Sequence, residues 1–282
     1  MHRAVVLGAL VFLQLSLCES VTHAGRRFCR QSRRCRPCAT VVVAPISAAP
    51  IQPQIVTPQG TRHRIISSNE TDPDEFDERA KRASEPPAAR SLRWDGSDGE
   101  TFSGLARRAA KTSISSAPIE PFDTVVELLN EIPADDDMRD GDPDIEHGAD
   151  SDRVAEEDMN VSVPAYLYAA SKEDDNDFHL IIGGEANDSE QFMNVEVSGL
   201  PISGPDRDDI EAVREQFANV LDGQLPGNRY DFYDPPIPIN VAGSMFYDID
   251  HPPGQVGPAS LRDGLNTSWE IHPITKIEVR NE

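Results

Sequence analysis

Cysteine, aromatic residues and long hydrophobic runs are all scarce in this 282-residue chain. Its 4 cysteines all lie within the first 38 residues, so the rest of the chain offers no thiol nucleophile and no cysteine-based metal site. The motifs of nucleophilic hydrolases, P-loop enzymes and dinucleotide-binding enzymes are also absent. We therefore expect a non-enzymatic protein without an organic cofactor.

Positive charge is scarce in the second part of the chain. From residue 112 to 282 there are 9 lysines and arginines against 38 aspartates and glutamates, in a chain whose net charge is -23. An acidic body of this kind repels phosphate backbones, so nucleic acid is not an expected partner. Residues 21–111 carry a small excess of positive charge instead. The chain is predicted to consist of two regions of different character.

One apolar run, Ala4–Leu17, follows a short basic start and is typical of a secretory signal peptide over residues 1–20. A spanning helix needs about 20 apolar residues, so no transmembrane segment is expected. The predicted location is secreted or periplasmic. Lipidation of Cys18 is the alternative, but Leu17 is bulkier than the residue that normally precedes a lipidated cysteine.

Residues 25–38 form an arm rich in arginine and cysteine. One interpretation is a metal knuckle of Cys29, Cys35 and Cys38 with His23. The other is an unstructured basic arm with one local disulfide, which we favour because a single CxxC pair is a weak signal. Such an arm is expected to touch anionic envelope surfaces.

Residues 21–114 as a whole are predicted to be disordered, since their low hydrophobicity and scattered proline leave little apolar surface to offset the entropy of ordering. Residues 115–158 are predicted to contain an amphipathic helix and then an acidic tether. Phe122, Val125 and Leu129 recur at helical spacing, whereas residues 135–158 are strongly acidic.

The last stretch of the chain alternates with period two. Trp269 and Ile271 fall on one face of a predicted strand, and Glu270 and His272 fall on the other. Four further segments have strand character, and a helix capped by Asp206 lies between the third and fourth strands. The five predicted strands are residues 161–169, 178–182, 192–197, 239–247 and 269–282.

This element order, β-β-β-α-β-β, is that of the oligonucleotide/oligosaccharide-binding (OB) fold. We therefore predict a mainly β protein with one or two helices. Its residues 159–282 are expected to form a small five-stranded OB-like barrel, preceded by the long disordered region.

Four sequence motifs resemble an uncharacterised family of exported bacterial OB-like domains. They are DFHL at 177–180, MNVEV at 193–197, GSMFYD at 243–248 followed by His251, and EIHP at 270–273. The resemblance covers about residues 155–282. It implies the fold and export, and it implies no activity.

The polar residues of these motifs form the candidate site. Imidazoles with carboxylates suit a metal ion or a general acid and base. We favour the interpretation that the histidines hydrogen-bond loop backbone and hold residues 248–268 against the sheet, and direct contact with a ligand is a third interpretation. The candidates are Asp177, His179, Glu196, Asp248, His251, Glu270 and His272, of which His179, His251, His272 and Glu270 are the candidate metal ligands.

An aromatic group, Tyr230, Phe232 and Tyr233, is a candidate stacking platform or a loop over the open end of the barrel. The favoured function is an exported, non-enzymatic binding module of the cell envelope, with a glycan, a protein or a small molecule as ligand. One alternative is a metal-dependent, phosphodiesterase-like hydrolase that uses the His/Asp/Glu cluster. Another is a structural or assembly protein that acts through its basic arm.

Overall fold

A computed structural model describes residues 53–71, 100–141, 144–186 and 189–281. All of them belong to one compact unit, Pro50–Glu282. The predicted signal peptide, the lipidation alternative at Cys18 and the metal-knuckle alternative at Cys29, Cys35 and Cys38 lie outside the described residues.

The described residues are mainly β, with eight strands in one sheet and four helices. The strands are β1 Gln54–Val56, β2 Arg62–Ser67, β3 Ile119–Pro121, β4 Asn160–Lys172, β5 Phe178–Gly183, β6 Phe192–Val197, β7 Asp231–Tyr247 and β8 Trp269–Val279. The helices are α1 Arg108–Lys111, α2 Val125–Glu131, α3 Asp135–Arg139 and α4 Arg207–Val220, and 3-10 turns occur at Ala155–Glu157 and Arg262–Gly264.

Five of the strands pair in a closed circuit. β4 pairs with β5, β5 with β6, β6 with β8, β8 with β7, and β7 returns to β4. The β6–β8 pair is parallel, and the other pairs of the circuit are antiparallel.

The sheet is larger than the predicted five-stranded barrel because β1, β2 and β3 extend it. β8 pairs with residues 239–247 of β7. β2 pairs with the preceding part of β7, Asp231–Asp234, which β8 does not reach. β7 is thus longer than predicted. The prediction of a disordered linker is wrong for residues 54–67, since local composition does not reveal a strand whose partner is about 170 positions away along the chain.

The apolar core follows the predicted periodicities. Val161, Val163 and Leu167 of β4 are buried in it, and Val213 and Phe217 of α4 pack against the same cluster. Burial of each such side chain contributes about 1.5–3 kcal/mol relative to exposure. Among the helices described, none combines the length and apolarity that crossing a bilayer requires.

Asp206 precedes α4 as predicted, but its side chain does not cap that helix. Its carboxylate accepts a hydrogen bond from the Ile114 backbone N–H at 3.2 Å instead. α2 begins at Val125, so Phe122, which belongs to the predicted helical spacing, lies before the helix. The Thr124 side chain caps α2 by accepting from the Glu127 N–H at 3.0 Å.

Parts of the predicted linker and tether are packed. Met138 and Ile145 are buried in the core cluster, and Arg107 forms a buried, two-pronged ion pair with Glu157, at 2.6 and 2.7 Å. This pair joins two segments that the sequence analysis treats as solvated. The two residues are 50 positions apart in the sequence, so composition alone could not reveal the pair.

Candidate metal centre

The wall formed by β8 has two buried faces. Trp269 and Ile271 point into the apolar core, as the alternation predicts. Glu270 and His272 lie on the opposite face, yet they are only 1% and 0% exposed. This second face is therefore covered, and its polar side chains are removed from water.

The strand register brings the predicted polar residues together. His179 of β5 lies opposite Glu196 of β6, and Asn194 of β6 lies opposite Glu270 of β8. Because β6 and β8 run parallel, Glu196 and His272 each lie two residues further along and share the same face. The local alternation and the parallel pairing together create the cluster.

A triad of Asp177, Glu196 and His272 lies at the centre of this face. The His272 Nδ1 atom is 2.8 Å from Glu196 Oε2, and its Nε2 atom is 3.4 Å from Asp177 Oδ2. One potential ligand atom of each residue lies within 4.8 Å of the other two. None of the three side chains is more than 2% exposed.

A second triad of Asp248, His251 and Glu270 adjoins the first. The His251 Nδ1 atom lies 3.1 Å from Asp248 Oδ2 and 3.9 Å from Glu270 Oε1. The other oxygen of Glu270, Oε2, is 3.8 Å from His272 Nδ1. Glu270 thus has one oxygen directed towards each triad.

His179 has a different role from His272. Its Nδ1 atom is 2.8 Å from Glu173 Oε1 and 3.3 Å from the Tyr230 hydroxyl. These are hydrogen-bonding contacts between protein groups, although Glu173, His179 and Glu196 also converge within metal-ligand distance. Hydrogen bonds already hold this part of the cluster in place.

The aromatic group is not an exposed platform. Tyr230 and Tyr233 are 0% and 3% exposed, and Phe232 is partly buried. The group is not a covering loop either, because β7 begins at Asp231 and pairs there with β2 and β4. Phe232 and Tyr233 lie at the start of β7, and Tyr230 directly precedes it, whereas the predicted strand begins only at Ile239.

The favoured role for His272, tying down the 248–268 loop, is wrong. Its polar neighbours lie on β6, on β8 and immediately before β5 rather than in that loop. Its ring also packs beside Phe246, with 5.6 Å between centroids. The loop is fastened by other groups, such as Arg139, which donates to the Ser268 hydroxyl at 2.9 Å, and Asp135, whose carboxylate accepts from the Ser268 N–H at 2.8 Å.

Negative charge exceeds positive charge in the cluster. Lys111 is the lysine that reaches it, and its ammonium is 3.0 Å from Asp248 Oδ2. Burial opposes the charged ammonium, but Asp248, Glu196 and Glu270 outweigh burial and hold the Lys111 pKa well above its usual value. The carboxylates around it are Glu173, Asp175, Asp177, Glu196, Asp248 and Glu270.

The pKa values of the carboxyl groups in the cluster are shifted in opposite directions. Burial, together with Asp175 and Glu196, raises the pKa of Asp177 well above its usual value. Burial also disfavours the charged form of Glu196, but His272 and Lys111 prevail and lower its pKa. The pKa of Asp248 is lowered despite burial, by His251 and Lys111.

The pKa of His272 is raised although burial acts to lower it, because Glu196 and Glu270 favour the imidazolium. A single imidazolium cannot neutralise the carboxylates around it. Protons on Asp177 and His272 are one way of reducing the negative charge, and a bound cation is another.

Several polar atoms of the cluster have no hydrogen-bond partner among the described residues. They are Asp177 Oδ2, Glu196 Oε2, both carboxylate oxygens of Glu270 and both ring nitrogens of His272. The short His272–Glu196 contact is an ion pair without the alignment of a hydrogen bond. An unsatisfied buried polar group costs about 1–3 kcal/mol, and more when it is charged. The set is suited to holding a cation, because its acceptor atoms converge without well-aligned hydrogen bonds among the described residues.

Sequence reasoning missed three members of the cluster. Glu173 and Asp175 lie in the polar turn before β5, where acidic residues are ordinary and carry no signal. Lys111 belongs to residues 21–114, which are predicted to be disordered. Its position is set by the fold rather than by neighbouring residues.

Comparison with protein-family models, curated proteins and solved structures found no match to the chain. The resemblance of the four motifs to a family of exported OB-like domains therefore stays a prediction. The function has to be argued from the geometry of the cluster.

Proposed function

We propose that the protein is an exported, non-enzymatic binding module whose ligand is a divalent metal ion held by Asp177, Glu196 and His272. The observation that carries this proposal is the convergence of buried acceptor atoms without hydrogen-bond partners in the described part of the chain. Buried charges in proteins are normally paired or coordinate a metal.

The ligand chemistry favours zinc or manganese. One imidazole nitrogen with two or more carboxylate oxygens is a set that Zn²⁺ and Mn²⁺ accept, whereas Ca²⁺ prefers six to eight oxygens. Ligand atoms about 2.0–2.2 Å from a tetrahedral ion are separated by about 3.4 Å. A single ion takes one ring nitrogen, and His272 Nδ1 lies 2.8 Å from Glu196 Oε2 and 3.8 Å from Glu270 Oε2, which is close to that separation. Asp177 Oδ2 lies beside the other ring nitrogen, at 3.4 Å, so a rearrangement of the Asp177 or His272 side chain is needed for all three residues to reach the same ion.

The enclosure of the triad favours a structural metal over a catalytic one. A catalytic metal keeps an open position for water or substrate, whereas a structural metal is surrounded by protein ligands. Asp177, Glu196 and His272 are at most 2% exposed. The ion would fasten β6, β8 and the turn before β5 together, and a hydrolase at this triad is not supported.

We also propose that β4 to β8 form an OB-like barrel within the larger sheet. Support comes from their closed circuit of pairings, the parallel pair β6–β8 and the position of α4 between the third and fourth of these strands. The metal site would then lie on the outside of the barrel wall, under the segment that contains α1.

Thermal unfolding with and without metal tests the proposed function. Wild-type protein is stripped with a chelator and melted alone and with Zn²⁺ or Mn²⁺. A ligand at a hundredfold its dissociation constant stabilises the folded state by about 2.7 kcal/mol, so the melting temperature should rise.

Two matched variants show where the metal binds. Glu196→Gln should abolish the rise in melting temperature, since an amide is a poor ligand for Zn²⁺. Glu278→Gln makes the same change on exposed β8 surface and should retain the rise. No metal-induced rise in the wild type, or an equal rise in both variants, would overturn the proposal.

A further inference from the structure

The two adjoining triads have the outline of a two-metal site. Asp177, Glu196 and His272 form one, Asp248, His251 and Glu270 form the other, and Glu270 faces both. Carboxylates that face two metal sites in this way commonly bridge two ions. The second triad, however, already has a positive charge next to it.

That charge is the ammonium of Lys111. Its Nζ atom lies 3.0 Å from Asp248 Oδ2, the same oxygen that lies 3.1 Å from His251 Nδ1. The Lys111 residue is 7% exposed, so water does not compete strongly for the ammonium. A metal ion bound to this oxygen would have to occupy nearly the same space.

The fold fixes Lys111 in this position. Its backbone N–H donates to the Arg107 carbonyl at 2.9 Å, and its carbonyl accepts from the Ser198 hydroxyl at 3.3 Å. Arg107 is itself anchored by its ion pair with Glu157. The Arg107 and Lys111 side chains both approach the ring of Phe246, which lies opposite Glu270 in the sheet. The lysine is therefore held beside the triad at both ends of α1.

We propose that the ammonium of Lys111 takes the place of a second metal ion in the triad of Asp248, His251 and Glu270. The wild-type domain then holds one dication, and the second triad binds another when Lys111 is replaced by a neutral residue. This inference rests on the proposed metal site at Asp177, Glu196 and His272. Lys111 would be the residue that sets how many metal ions the cluster binds.

The test is the metal content of three proteins after equilibrium dialysis against Zn²⁺, measured by elemental analysis. Wild type should hold one ion per chain and Lys111→Met should hold two. Lys276→Met removes an exposed lysine on β8 and should still hold one. Methionine is chosen because it keeps the length of the stem without the charge.

The possible results distinguish a failure of the proposed role of Lys111 from a failure of the proposed metal site. Two ions in the wild type, or one ion in a folded Lys111→Met protein, would overturn the role of Lys111 and leave the first site intact. No ion in the wild type would overturn the proposed function itself.

If Lys111→Met does not fold, amine labelling of the wild type gives the answer. Lys111 should stay protected from acetylation when Zn²⁺ is saturating, as mass spectrometry of its peptide would show. Exposed Lys276 serves as the internal standard for complete labelling. Labelling of Lys111 on addition of metal would mean that the ion displaces the ammonium, which contradicts the inference.

Discussion

Two buried ionic clusters lie close together in this protein, and they differ in how their charges are matched. In the first, the two terminal nitrogens of Arg107 meet the two oxygens of Glu157, which also accept backbone N–H groups of Tyr247 and Val154. In the second, Asp177, Glu196, Glu270 and His272 present polar atoms that form no well-aligned hydrogen bond among the described residues, although His272 and Glu196 form an ion pair at 2.8 Å.

This difference indicates that the first cluster stabilises the fold and that the second is suited to binding an ion. Glu157 has its counter-ion and its hydrogen bonds within the chain, so nothing further is needed for its burial. In the described part of the chain, the carboxylates of the second cluster outnumber the cations beside them, and Lys111 reaches the cluster at one end. In the proposed function, a bound metal ion provides the second cluster with the positive charge that Arg107 provides in the first.

The largest expected effect comes from breaking the matched pair. Arg107→Leu leaves Glu157 buried and unpaired, and loss of one partner of a buried pair costs about 3–5 kcal/mol. The free energy of unfolding, measured with urea, should fall by that amount in chelator and in Zn²⁺ alike.

The control for this change is Arg64→Leu, which removes an exposed ion pair with Asp234 and should cost about 0–1 kcal/mol. A loss at Arg107 that disappears when Zn²⁺ is added would show that the two clusters are not independent, and the contrast between them would fail.

The second prediction concerns pH. In chelator, folded Asp177 retains its proton at pH values where the unfolded chain has lost it, since its pKa is raised in the folded state. The folded state then binds more protons, so the free energy of unfolding falls as the pH rises above about 4. The raised pKa of His272 acts in the same direction above about pH 6.5.

Metal should reverse this slope. Protons and cation compete for the same groups, so metal binding strengthens as the pH rises. Between pH 5 and pH 7 we expect the unfolding free energy to fall by about 1–2 kcal/mol in chelator and to rise in Zn²⁺. Asp177→Asn should flatten the slope in chelator. Slopes of the same sign in both conditions would contradict the proposed competition.

The smallest expected effect is a gain in stability. Both oxygens of Glu270 lack a hydrogen bond among the described residues, and the imidazoles of His251 and His272 are 3.9 and 3.8 Å away, so Glu270→Gln removes a weakly compensated charge from the cluster. In chelator this variant should be more stable than the wild type by about 1 kcal/mol. Glu278→Gln on the exposed part of the same strand should change stability by less than about 0.5 kcal/mol. A clear loss at Glu270→Gln in chelator would indicate that the carboxylate is matched within the chain.

The sequence predicted the faces of residues 269–272 on β8 and the membership of most of the cluster. Ile274, which the alternation places with Glu270 and His272, lies in the apolar core instead, where the register between β7 and β8 shifts. Alternation alone separates Trp269 and Ile271 from Glu270 and His272, because side chains in a strand point to opposite faces in turn. It could not reveal that the polar face is covered as well. That depends on α1, which is distant in the sequence from β8, and on the path of the loop between β7 and β8.

The remaining errors share a physical cause. β2 is stabilised by pairing with β7, and Arg107 by its contact with Glu157, so the evidence for each lies in another part of the chain. Propensity and composition describe neighbours in sequence and miss such pairs. Lys111 was overlooked for the same reason, although it is the cation closest to Asp248 in the described residues.

The most direct test of the central claim is anomalous X-ray diffraction from crystals grown with Zn²⁺ and measured at the zinc absorption edge. The account predicts one strong peak about 2.0–2.2 Å from ligand atoms of Asp177, Glu196 and His272, with the Lys111 ammonium still beside Asp248. A cluster without an anomalous peak, with His272 and Glu196 joined instead by an ordinary hydrogen bond, would contradict it.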